Sequence, residues 1–251
     1  LKEGVHSGSA SGVVPSPFRL LSKLINRLED SDTGKIDLEN LNVEIPDERK
    51  VQALEMVECL GNWEEEFPWY GNTKPSTSDS YESMLNRTWR PTMTVIGIDG
   101  IPPIKDGGNV LLPFSAANLS FRLPPTADSK KAMQEIEKTL LSDPPNSCEV
   151  SLKWEKAANG WNAPSCKPWL NDAINESSKE IFGKPARAMG EGGTIPFMAM
   201  LGERYPQAQF VITGVLGPNS NAHGPNEFIH IPFAKRLNTC IALILSNYQK
   251  N

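Results

Sequence analysis

The sequence predicts an α+β fold, with helices on one face of an antiparallel sheet, followed by a shorter stretch of α/β character. Three observations predict it. Apolar residues recur at three-and-four spacing through residues 16–28 and 126–141, while residues 92–98, 118–123 and 149–154 alternate apolar and polar. Composition then shifts at Asn159-Gly-Trp-Asn-Ala-Pro164, beyond which helical runs, a glycine-rich turn and a short apolar run follow one another.

The first helix is the plainest. Phe18, Leu20, Leu21, Leu24, Ile25 and Leu28 share one face, Ser16 stands at the N-cap, and Pro17 takes the first helical position. Asp30-Ser-Asp-Thr-Gly34 breaks it. A second helix is expected over residues 46–66, with Val51, Leu54, Val57 and Leu60 on one face. Residues 70–86 are poor in apolar side chains and rich in Ser, Thr, Asp, Gly and Pro, so they read as a long loop. Two strands follow, then a helix whose core side is Met133, Ile136, Leu140 and Leu141, then a third strand. That order gives a ferredoxin-like sandwich of two helices on an antiparallel sheet.

Past the composition shift, residues 168–182 are helical and Gly190-Glu-Gly-Gly193 is a tight turn. Residues 194–203 are helical, 209–213 form a strand and 233–248 a final helix. The run Gln209-Phe-Val-Ile-Thr213 needs neighbours in a sheet. A boundary near residue 165 separates residues 1–165 from residues 166–251. No repeat of 20–50 residues is present.

Composition excludes several classes. With 251 residues, 39% hydrophobic and 22% charged, the chain can bury a real core and is no disordered tail. The longest apolar run, Cys240-Ile-Ala-Leu-Ile-Leu245, falls far short of the ~20 residues a membrane-spanning helix needs. A net charge of -5 argues against a nucleic-acid surface. Four scattered cysteines without a C-x-x-C pair read as reduced thiols. The opening Leu1-Lys-Glu-Gly-Val-His6 has no apolar leader core and no initiator methionine, so a cytoplasmic piece of something longer is expected.

There are three histidines, His6, His223 and His230. The first two sit in glycine-rich turns, where position is set by backbone geometry and function is frequent. Four motifs occur in order: His6-Ser7-Gly8 ahead of the first helix, Asn118-Leu-Ser-Phe-Arg-Leu123, Glu191-Gly-Gly-Thr-Ile-Pro196, and Ala222-His-Gly-Pro-Asn-Glu227. Together they resemble the second half of M20-family metallopeptidases, the group of carnosinase-like dipeptidases, aminoacylases and related deacylases.

The resemblance implies a catalytic domain holding two zinc ions and a smaller lid domain inserted into it. Residues 1–165 then look like the lid and residues 166–251 like the last segment of the catalytic domain. The first catalytic part, with most metal ligands, is expected ahead of Leu1. The resemblance further implies that His223 is a zinc ligand whose ring needs a partner to fix its tautomer. His6 would reach a partner subunit's active site and stabilise the developing oxyanion. Arg122 would clamp the substrate carboxylate, Asn109 would lie beside the substrate, and Gly192, Gly193 and Thr194 would face its carboxylate end. A homodimer through the lid is implied, with small peptides or N-acyl amino acids as substrates.

Glu64-Glu65-Glu66 reads as a solvated face rather than the family's Glu-Glu pair. Gly190 stands where arginine often precedes Glu-Gly-Gly, and Pro218-Asn-Ser-Asn221 replaces the usual acidic residues. Residues 63–86 are long and aromatic. These departures leave the substrate class open. With zinc not held by this chain alone, the fragment is expected to be inactive. A non-catalytic dimerisation or binding module, or a homologue without metals, stays open beside the enzymatic reading.

Overall fold

The computed structural model describes residues 1–191, 196–217 and 219–248. The chain forms two compact units. One is built on Leu1–Ile45 and Met84–Trp161; the other on Pro46–Ser83, Asn162–Gly190 and residues 197–248. The division is therefore not one cut along the chain, since residues 46–83 group with the C-terminal part.

The first unit is the sandwich that the periodicities imply. Its elements are β1 (Val5–His6), α1 (Ser7–Ala10), α2 (Pro17–Ile25), β2 (Thr92–Asp99), β3 (Val110–Leu111), β4 (Ala116–Arg122) and α5 (Ser129–Leu141). β2 and β4 pair antiparallel from Thr92↔Arg122 to Asp99↔Ala116, and Ile96 is the extra residue of a bulge between Val95 and Gly97. Leu24 and Leu28 of the first helical run, Ile36, Leu41, and Ala132, Ile136 and Leu140 of α5 form the buried core. Met93, Leu119 and Phe121 from the sheet pack against it, so α2 and α5 cover one face.

Ser16 occupies the N-cap of α2 with Pro17 behind it, but its hydroxyl makes no capping bond. α5 is capped fully: Asp128 Oδ1 accepts from the amides of Lys130 and Lys131, and Asn159 Oδ1 accepts from that of Ser129. At the other end Arg27 reaches over, donating to the carbonyls of Ser142 and Asp143 at 2.6 Å each. The turn after α2 is held by Asp30, whose Oδ1 accepts from the Thr33 hydroxyl and from the amides of Asp32 and Thr33. These bonds, the hydroxyl's first, hold the Asp30 carboxyl below its ordinary value.

In the second unit α6 (Pro168–Phe182) packs on α8 (Ile231–Tyr248) around Leu170, Ala173 and Ile244. Trp169 meets Tyr248 at 5.4 Å, and Phe182 meets Phe233 at 5.3 Å. Each helix start thus lies on the other's end, and the pair is antiparallel. Gly183, at φ +76°, terminates α6 in the left-handed conformation. α3 (Asp47–Leu60) is tied to the chain before α6 by Arg49, which donates to Asn162 Oδ1 at 3.0 Å and to the Ala163 carbonyl at 2.5 Å. α7 spans Pro196–Arg204.

Four expectations differ from what is observed. A helix, α4 (Ser80–Thr88), occupies the end of the expected loop, started by Asp79 Oδ1 accepting from the amides of Tyr81 and Glu82. It buries Met84, Leu85 and Thr88. On α3, Ala53 is the buried residue while Val51, Leu54 and Leu60 stand exposed, so the expected apolar face is not the packed one. Residues 149–154 join no ladder, although Val150, Leu152 and Trp154 alternate inward onto the core. Residues 209–213 form no strand and belong to neither sheet of the described residues. No helix among the described residues is long and apolar enough to cross a membrane.

Candidate functional site

His6 is placed by two short elements. β1 pairs antiparallel with β3, His6 opposite Val110 and Val5 opposite Leu111. The Ser7 amide then donates to the Asn109 carbonyl at 2.9 Å. Two residues more than a hundred positions apart, His6 and Asn109, are thereby brought to the same end of one strand pair, and both are exposed. His6 is also the N-cap of α1, with Nδ1 accepting from the Gly8 amide at 3.2 Å. An accepting nitrogen carries no proton, so the neutral ring keeps its proton on Nε2 and offers it as a donor.

Arg122 is the last residue of β4, exposed, opposite Thr92. It stands at the far end of that strand from Ala116, into which β3 leads. The structure does not gather it with the His6–Asn109 pair. Among the described residues its guanidinium has no hydrogen-bonded or ion-paired partner, which leaves its fork of donors available for a carboxylate.

His223 lies in the second unit, in a loop rich in left-handed backbone: Asn219, Asn221, His223 and Asn226 all have φ between 54° and 62°. Such residues cost of order 1 kcal/mol each and gather where a loop is held for a purpose. Side chains hold this one. Asn221 Nδ2 donates to the Pro225 carbonyl at 2.6 Å, and the buried Ser220 hydroxyl accepts from the Gly217 amide at 2.8 Å. Glu227 Oε2 accepts from the backbone amide of His223 at 3.2 Å. The ring itself is exposed, without a hydrogen-bonded partner among the described residues.

Glu227 is the residue that sequence reasoning passed over, although it ends the motif that singled out His223. His230 has a local job, its Nδ1 accepting from the Phe233 amide at the start of α8. Gly192, Gly193 and Thr194 lie outside the described residues. Glu64 corrects the solvated reading of its triplet. It is 7% exposed, with Oε2 accepting from the Ser80 hydroxyl at 2.9 Å and its carbonyl accepting from Trp69 Nε1.

The donor set decides what metal chemistry these residues can support. No three His, Cys, Asp or Glu side chains among the described residues converge on a point that could hold an ion. His223 offers one imidazole, and a zinc site takes three or four ligands. These residues alone do not make a two-zinc centre.

Residues 2–148 match the family model described as the peptidase dimerisation domain of the M20 group. A cysteinylglycine-S-conjugate dipeptidase of Corynebacterium striatum is 25% identical over 94% of this chain and 51% of its own length. Human carnosine dipeptidase 1 superposes with a TM-score of 0.72 at 18% identity, over 100% of this chain and 53% of its own. A Saccharomyces cerevisiae dipeptidase gives 0.70 at 18%, covering 100% and 52%. An M20-family metallo-carboxypeptidase of Sulfolobus solfataricus gives 0.68 at 22%, covering 98% and 55%. The chain spans about half the length of these relatives. Its β1–α2–β2–β4–α5 sandwich is the part the family model matches, and by that match the chain belongs to the M20 peptidase dimerisation-domain family.

Proposed function

We propose that this chain is the lid and the closing catalytic segment of a zinc-dependent peptidase that cleaves dipeptides or N-acyl amino acids. In this reading residues 1–165 form the lid, through which two copies pair, and residues 166–251 belong to the catalytic domain. His223 supplies one zinc ligand, and the other ligands come from outside the described residues. Zinc, when bound in such a centre, lowers the pKa of a coordinated water so that it can attack an amide.

The chain's own residues would do the rest. His6 donates from Nε2 to the oxygen on which charge develops, in the partner subunit's site. Arg122 grips the substrate carboxylate, Asn109 lies beside the substrate, and Gly192, Gly193 and Thr194 face its carboxylate end. The observation that supports the reading is the pairing of β1 with β3, His6 opposite Val110 with the Ser7 amide on the Asn109 carbonyl, which brings the exposed His6 and Asn109 to the same end of one strand pair.

A second reading, a dimerisation module without catalysis, is favoured by the single imidazole at the loop of His223. Metal content and turnover separate the two. Loaded with zinc and dialysed, the 251-residue chain should keep no stoichiometric metal and cleave no dipeptide. A protein of the relatives' full length carrying this chain should bind zinc, cleave dipeptides, and lose both with His223→Ala. Full zinc and activity in that variant would overturn the role of His223. Inactivity of the full-length protein with zinc present would favour the binding module.

A further inference from the structure

We propose that Gly8 is the positioning residue of the His6 imidazole, setting which ring nitrogen carries the proton. The role of His6 toward substrate rests on the reading above; the assignment of Gly8 does not need turnover to be tested.

The geometry has two parts. The Gly8 amide donates to His6 Nδ1 at 3.2 Å, which leaves the proton of the neutral ring on Nε2. A Cβ added at Gly8 would stand 2.9 Å from His6 Cε1 and 3.1 Å from His6 Nδ1. Both distances are shorter than the ~3.5–4.0 Å at which non-bonded carbon atoms pack best. The backbone does not call for glycine here, since Gly8 is absent from the residues with positive φ. Space for the ring does.

What would move when that space is filled also follows. The backbone on either side is fastened, His6 in register with Val110 and the Ser7 amide on the Asn109 carbonyl at 2.9 Å. The imidazole is exposed, with room on its solvent side to swing away from residue 8. A methyl group at residue 8 therefore displaces the ring and breaks its bond to the amide, leaving the strand pair in place. His6 would then lose its fixed tautomer, and with it the constant presence of a donor at Nε2.

Nitrogen-15 NMR of the histidine rings in the 251-residue chain, at a pH where all are neutral, reads this directly. In the unsubstituted protein His6 should show Nδ1 at the unprotonated extreme and Nε2 at the protonated one. His230, whose Nδ1 accepts from the Phe233 amide at 3.2 Å, is the internal reference and should show the same pattern. Gly8→Ala should move both His6 shifts toward averaged values, leave His230 unchanged, and leave the Leu119 and Phe121 amides of the β2–β4 ladder where they were.

An averaged or Nδ1-protonated His6 in the unsubstituted chain overturns the assignment without any variant, so a Gly8→Ala chain that fails to fold does not rescue it. Unchanged His6 shifts in a folded Gly8→Ala chain overturn it as well. Separately, a His6→Asn variant of the full-length protein with undiminished kcat would overturn the catalytic reading while the Gly8 assignment stands.

Discussion

Removing the Arg27 guanidinium should unfasten α2 from the end of α5. Its Nη1 donates to the Ser142 carbonyl at 2.6 Å and more weakly to that of Thr139 at 3.4 Å, and its Nη2 donates to the Asp143 carbonyl at 2.6 Å. Hydrogen bonds to a charged group contribute about 1.5–3 kcal/mol each, and a cation at a helix C-terminus adds about 0.3–1 kcal/mol. Ser142 and Asp143 are exposed, so water recovers part of this when the donors go. The net loss for Arg27→Ala is about 2–3 kcal/mol, which lowers the melting temperature of a chain of this size by roughly 4–12 °C. Thermal melts followed by circular dichroism measure it. Arg27→Met keeps the aliphatic stem and discards the donors, so it should melt close to Arg27→Ala. An Arg27→Met protein melting within about 1 °C of the unsubstituted one would refute the reasoning, because packing of the stem would then carry the effect.

The remaining predictions concern charge and assembly. The lowered pKa of Asp30 means that its bonds to residues 32–33 stabilise the turn above the ordinary carboxylate value and are lost as pH falls through the lowered one. The Thr33 amide, followed by NMR, should titrate with a midpoint below 3.8, and Thr33→Val should raise it; a midpoint at or above 3.8 in the unsubstituted chain would contradict the geometry. If two copies pair over β2, the bulged Ile96, 61% exposed, is the side chain they cover. Burying that remaining surface contributes about 1–2 kcal/mol per copy, so in a symmetric pair Ile96→Lys should weaken the dimer roughly 30- to 1,000-fold. Sedimentation equilibrium decides: a dimer of unaltered strength in Ile96→Lys places the interface elsewhere.

What could be read from the sequence follows how local the cause is. The first helix was legible because Leu24 and Leu28 repeat at helical spacing and Pro17 fixes its start. α5 was legible for the same reason. α4 was hidden because the polar residues before it dilute Met84 and Leu85, and its start depends on one side chain, Asp79. Glu64 looked solvated within its triplet, yet the hydroxyl that donates to its buried carboxylate, that of Ser80, comes 16 positions later. The site divides in the same way. Motif order singled out His6, Arg122 and His223, and the resemblance added Asn109, but only the pairing of β1 with β3 brings His6 and Asn109 to the same end of one strand pair. The bond that Glu227 accepts from the His223 amide likewise lies in a loop of left-handed residues that no periodicity reveals.

The two units differ in how completely they bury themselves, and this bears on where their roles lie. In the first, Leu28 and Leu41 are 1% and 0% exposed inside a core closed by two helices and a sheet. Nothing about that core asks for further chain. In the second, α6 and α8 pack around Leu170, Ala173 and Ile244, while Val211, Ile212 and Leu216 stand exposed before the loop of His223 and Phe228 and Ile229 after it. Exposed apolar chain of this kind is suited to burial in a sheet. Strands at positions 209–213 would bury these residues if parallel neighbours lay on both sides, the arrangement in which near-continuous apolar runs are stable. The loop of His223 follows directly on that segment. A sheet that captured residues 209–213 would therefore also anchor the chain that leads toward the loop of His223.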